Sequence, residues 1–134
     1  MGFMIDGNNV KIPAHYHGCI VGVSLALMGL TYQLIPALGF NKPNFKLSKL
    51  QLWIYASGQF LHIVGLVWSG GYGVERKIAG AAQGLDSMGR IAGMGLMGLG
   101  GLLSAVGGFM FIVLVIKAMM ATRDDQSQNN SAHA

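Results

Sequence analysis

The sequence predicts an all-α membrane protein with three transmembrane helices, and three observations carry that reading. Only 10% of its 134 residues are charged, where an ordinary soluble domain carries roughly 25%. Three segments, Pro13 to Asn41, Leu50 to Val74 and Ile91 to Ile116, contain no Asp, Glu, Lys or Arg. Each is long enough for the ~20 apolar residues that a bilayer-spanning helix needs. Finally, glycine crowds the last of these segments. That would weaken a helix in water, but in lipid small residues let neighbouring backbones approach closely.

The first helix is expected over about residues 14–35. Pro13 suits a first helical turn, and Pro36 followed by Gly39 marks the end. A loop with Lys42, Pro43, Lys46 and Lys49 leads into the second helix, about 47–69, which "SGGYG" terminates with permissive backbone. After the linker "VERKIAGAAQGLDS" the third helix is expected over about 88–120. Small residues recur there at four-residue spacing, as Gly89 with Gly93 and as Gly100 with Ser104 and Gly108. A helix so built expects protein neighbours, and three helices burying this much glycine read as part of something larger. Residues 1–120 thus form one three-helix unit, and 121–134 a polar, disordered tail in which His133 is expected to be solvated.

Several functions lose support from composition. Cys19 is the only cysteine, which excludes an internal disulfide and a cysteine-based metal cage. The nine basic residues are scattered among loops and helix ends, so no basic stripe for nucleic acid exists. The opening "MGFMIDGNNVK" lacks the basic start and short apolar core of a signal peptide, and the chain is expected to begin almost at its first span. The Met1 start and the polar tail suit a complete small polypeptide. Lys42, Lys46, Lys49, Lys117 and Arg123 fall on one side of the membrane, against Lys11, Arg76, Lys77 and Arg90 on the other. The balance votes for a cytoplasmic C-terminus and an outward N-terminus. It leaves Arg76 and Lys77 as a basic pair on the outer side that wants a reason.

The first helix opens on "PAHYHG". Residues two apart on an α-helix are about 200° apart around its axis, so His15 and His17 face nearly opposite ways and cannot share one metal ion. Two readings remain. The rings can present polar tips to water and headgroups at the membrane surface. Alternatively, each can serve a separate centre on its own side of the helix, the two centres then lying on the order of 10 to 15 Å apart. Ionisable groups inside a span are functional suspects by default.

The stretch "NNVKIPAHYHG", followed by an apolar helix ending "MGLTYQLIP", resembles the tenth transmembrane helix of subunit I of haem-copper oxidases, where that family carries His-aromatic-His. The stretch "LSKLQLWIYASGQFLHIVGLVWSGGYGVERK" is similar to the eleventh helix and its basic exit, and the third span to the twelfth. The resemblance covers about residues 8–120. It implies three helices of a twelve-helix bundle and two haems, with His15 the axial ligand of a high-spin haem and His17 an axial ligand of a low-spin haem. Tyr16 would lie between the haems on the electron path. Arg76 and Lys77 match the paired arginines that bind haem propionates, with Lys77 offering a point charge in place of a fork. Histidine ligation of haem iron is ordinary chemistry.

The same resemblance implies a respiratory terminal oxidase that reduces dioxygen and translocates protons in a prokaryotic plasma membrane or mitochondrial inner membrane, fed by cytochrome c or quinol. Its copper would be liganded outside this chain. The partners implied are the remaining N-terminal part of subunit I, the other oxidase subunits and membrane lipid. Alone, the chain cannot be active; it is expected to be a piece of a subunit encoded in two parts or a truncated product. A nitric oxide reductase of the same superfamily and a haem-free three-helix scaffold are the alternatives. Gly7 and Asn8 stand where many members carry the His-Asp of a magnesium site, so that metal is not expected. His62 matches no ligand and is expected to be a hydrogen-bonded interior residue. Trp53 and Trp68 suit the two membrane interfaces, and the methionines suit packing.

Overall fold

The computed structural model describes residues 11–71 and 88–120. Three helices account for nearly all of them: α1, Lys11–Ala37; α2, Phe45–Gly71; and α3, Met88–Met120. All three are long and apolar enough to cross a membrane. The chain is an all-helical membrane protein.

The helix ends show where short-range chemistry overrules a simple reading of proline. α1 does not stop at Ile35 but runs through Pro36 to Ala37. Pro36 sits in the last turn, where the loss of one N–H costs little continuity. Closure comes downstream. Gly39 takes a φ of 88°, its N–H donates to the Pro36 carbonyl at 3.0 Å, and the Phe40 N–H reaches the Ile35 carbonyl at 3.1 Å. This paired closure with glycine in the left-handed region satisfies carbonyls that the helix would otherwise orphan. At the other end α1 begins at Lys11, three residues earlier than expected. α2 begins at Phe45 rather than Leu47 because Asn44 caps it: its Oδ1 accepts the Leu47 N–H at 3.2 Å. α3 has the expected bounds.

α2 and α3 pack as an antiparallel pair, and glycine sets their distance. A Cβ on Gly58 would lie 2.6 Å from the Ser104 amide nitrogen, and one on Gly107 would lie 2.8 Å from that of Tyr55. Cβ atoms on Gly65 and Gly100 would collide with the backbones of Met97 and His62. The buried small residues of α3 are Gly93, Gly100, Ser104, Gly107 and, near its end, Ala118. The row therefore differs from the expected one at its end, because Gly107 is in the interface while Gly108 faces open space. Seven-residue spacing returns a residue to the same side after two turns, which keeps Gly93, Gly100 and Gly107 on one seam. Leu66, with Ile63, Val67, Met94 and Met97 against it, supplies the apolar packing beside that seam.

α1 joins mainly through α2 and touches α3 little. One polar node ties all three helices. Gln51, fully buried, donates from Nε2 to the Gly107 carbonyl at 3.0 Å and accepts the Tyr32 hydroxyl at 3.0 Å. The Tyr32 ring meets Phe111 edge-on at 5.4 Å. The rest of α1 is largely uncovered: Ile20, Val23, Leu27, Leu30 and Leu34 are all exposed.

Two outcomes follow for stability in detergent or lipid. Gly100→Ala drives a methyl into the His62 backbone, so it should destabilise the protein by about 1 to 3 kcal/mol. Gly98→Ala, which meets nothing within 4 Å, should melt like the parent. Gln51→Leu removes the interhelical bonds to Tyr32 and Gly107, and the weaker one to the Met28 sulfur, at once and should cost about 1 to 2 kcal/mol. Thermal unfolding of the three variants measures these differences.

Candidate functional site, a two-histidine cleft

The first turns of α1 place the His-Tyr-His sequence on a regular helix, so the two imidazoles diverge as the spacing requires. His17 turns toward α2 and α3. Together with Tyr55, Gln59, His62, Gly101, Ser104 and Ala105 it lines a cleft of about 360 Å³. His15 takes no part in that lining. It is half-buried, and its ring lies 5.8 Å from that of Tyr16, whose side chain is exposed.

Each wall has a local cause. Tyr55, Gln59 and His62 recur at spacings of four and three, which puts them on one stripe of α2. The glycine seam then brings α3 close enough for the His62 Nδ1 to donate to the Met97 carbonyl at 2.8 Å. Gly101 leaves space beside the same ring, since a Cβ there would sit 3.4 Å from Nδ1. The His17 and His62 rings lie against one another with centroids 4.9 Å apart and planes inclined at 45°.

The cleft has unspent hydrogen-bonding capacity. Gln59 Oε1 is buried without a partner, and such an atom in a low-dielectric setting calls for a donor. Ser104 is already committed, its hydroxyl donating to the Gly100 carbonyl at 2.8 Å. Among the described residues, no three His, Cys, Asp or Glu side chains come together as a metal cage.

His17 supplies one half-buried imidazole, a donor that a haem iron could take. A Cβ at Gly18 or Gly22 would meet nothing within 4 Å, and these glycines, three and seven residues after His15, lie on that histidine's side of α1. Arg76 and Lys77 fall outside the described residues, as do Gly7, Asn8 and the 121–134 tail. His62 behaves as the interior, hydrogen-bonded residue expected of it, but its partnership with His17 was not foreseen. Neither were Tyr55 and Gln59, although their helical spacing from His62 is visible in the sequence.

No protein-family model and no solved structure matches the chain. Two curated proteins are similar to it, and both are uncharacterised. One, from Rickettsia prowazekii, is 40% identical over 126 residues, covering 86% of this chain and 24% of the relative. The other, from Aquifex aeolicus, is 35% identical over 54 residues, covering 40% of this chain and 13% of the relative. The chain thus spans about a quarter of the Rickettsia protein it matches.

Proposed function

We propose that this chain is the haem-ligating, C-terminal three-helix part of a twelve-helix haem-copper oxidase subunit I, acting in respiratory electron transfer to dioxygen. The observation that supports it best is the division of labour on α1. His17 looks into the α2–α3 cleft while His15 stays outside it, as one helix serving two centres requires. A relative in which a matching segment makes up 24% of the length agrees with three helices drawn from about twelve.

In this reading His17 would hold the low-spin haem and His15 the high-spin haem, with Tyr16 between them. The haems would supply reversible one-electron chemistry. The protein's own residues do the rest. α1 fixes the two imidazoles on opposite sides of one rigid helix, which sets the separation across which electrons pass. The glycine seam anchors the wall of α2 against which His17 packs. Arg76 and Lys77 would neutralise propionates at the membrane surface. Copper ligands and proton pathways would come from the partner helices, and cytochrome c or quinol would donate electrons. In this reading the membrane would be a prokaryotic plasma or mitochondrial inner membrane, with the N-terminus outside.

Optical and redox difference spectra of the purified membrane complex test the proposal. Two haem species are expected in the parent. His17→Ala should remove the low-spin signal, and His15→Ala should abolish carbon monoxide binding at the high-spin haem while sparing most of the low-spin spectrum. A complex without haem overturns the proposal in favour of a scaffold, and selective loss of the same haem in both variants overturns the two-faced assignment. A non-haem iron signal in place of copper would identify a nitric oxide reductase.

The basic pair has its own readout. Reduction adds an electron near anionic propionates, so removing a nearby cation disfavours it. Coulomb energies of roughly 1 to 4 kcal/mol at contact distance leave room for a measurable effect. Arg76→Gln should therefore lower the midpoint potential of at least one haem, and Lys77→Gln should act in the same direction more weakly. Unchanged potentials with normal haem content would return both residues to the role of interfacial anchors.

A further inference from the structure

The His62 ring has a polarity that its surroundings settle. A carbonyl oxygen can only accept, so the 2.8 Å contact between Nδ1 and the Met97 carbonyl puts the hydrogen on Nδ1. In the neutral ring Nε2 is then a lone-pair acceptor. That ring lies beside His17, with centroids 4.9 Å apart.

The separation rules out one arrangement and fits two others, an N–H···N bond and plain tilted packing of the rings. Two imidazoles on the two axial positions of one iron, with metal–nitrogen bonds of about 2.1 Å and about 1.1 Å from each nitrogen to its ring centre, would have centroids roughly 6.4 Å apart. The observed 4.9 Å is too short for that. Two imidazoles joined by an N–H···N bond of about 2.9 Å would have centroids about 5 Å apart, and slightly less when the bond bends. Side-by-side ligation of a non-haem ion would bring the rings equally close. It lacks further ligands, since no third His, Cys, Asp or Glu joins these two among the described residues.

We propose that His62 is a positioning residue for His17. The His17 ring donates its non-ligating N–H to Nε2 of His62, and His62 in turn donates Nδ1–H to the Met97 carbonyl. The inference rests on the reading of His17 as a haem ligand. Ligand histidines in metal sites habitually hand their second N–H to an acceptor, which fixes ring orientation and strengthens electron donation to the metal. Here the acceptor is a second imidazole, itself locked by α3. Gly101 lies beside the edge of His62 that bonds to α3, where a Cβ would come into ordinary contact with Nδ1 at 3.4 Å. Stronger donation favours the oxidised iron, so this relay holds the low-spin haem at a lower potential than an unsupported His17 would.

The test is a redox titration of the low-spin haem in the assembled complex, with electron paramagnetic resonance of its oxidised form, for the parent, His62→Phe and His62→Gln. His62→Phe keeps a planar ring against His17 but offers no acceptor. It should retain the low-spin haem, raise its midpoint potential and broaden its resonance through looser ring orientation. His62→Gln restores an acceptor oxygen and should return both readouts toward the parent. Parent-like potential and resonance in His62→Phe at full haem content would overturn the proposal. So would equal shifts in both variants, which would mark a packing effect. Should His62→Phe fail to assemble, His62→Gln and His62→Leu carry the same comparison. A parent complex lacking a low-spin haem would defeat the haem reading itself, an outcome distinct from an unresponsive His62.

Discussion

The backbone-to-backbone approach of α2 and α3 is the constraint on which the other features depend. Where Gly58, Gly65, Gly100 and Gly107 lack side chains, the facing main chain occupies the space that a Cβ would fill. In a bilayer the usual gain from hiding apolar surface is absent, because lipid tails are as apolar as leucine. Close packing and interhelical hydrogen bonds must hold the pair instead. The seam supplies both. It brings main-chain carbonyls of α3 within reach of α2 side chains, and two of them, Gly107 and Met97, accept from Gln51 and His62. A wider interface would leave Gln51 and His62 with buried polar atoms and no partner, at a cost larger than the bonds themselves contribute.

α1 answers to different rules. Two side-chain contacts tie it to its neighbours, the Tyr32–Gln51 node toward one end and the His17–His62 ring contact toward the other. Between them Ile20, Val23, Leu27 and Leu30 are exposed, and Gly18 and Gly22 face open space. Exposed leucine and isoleucine alone say only that the helix can lie in lipid. Glycines on an uncovered face add that a second helix backbone could approach closely there. The matching segment in a much longer Rickettsia protein fits the same picture.

Much of this was legible in the sequence, for definite reasons. Charge-free segments give the three spans because the bilayer's thickness fixes helix length, and the i, i+2 spacing gives the divergence of His15 and His17 because helical geometry admits nothing else. Helix ends were less legible. Asn44 caps α2 from a loop whose lysines and Pro43 stand out more, and of the Pro36–Gly39 end signal it is the glycine, three residues on, that closes α1. The seam was found in kind but misread in register, with Gly108 in place of Gly107. Four-residue and seven-residue spacings both return to the same helix side, and only the partner's position selects between them. The His17–His62 contact was hidden for the same reason, because it joins residues 45 apart through the packing of two helices.

The spacing of the two histidines also dictates what must lie outside this chain. A helix that turns one imidazole toward α2 and α3 must turn the other away from them, and among the described residues α1 has no third helix to receive it. His15, half-buried beside an exposed Tyr16, is therefore a donor group on a face that these three helices do not enclose. His17 has its wall built from within: Gly101 gives room, His62 gives a ring, and Met97 fixes that ring's tautomer. If both imidazoles serve metal centres, the two sites differ in where they are completed, one supported by this chain and one closed only by other helices. That asymmetry follows from two residues of spacing and 3.6 residues per turn.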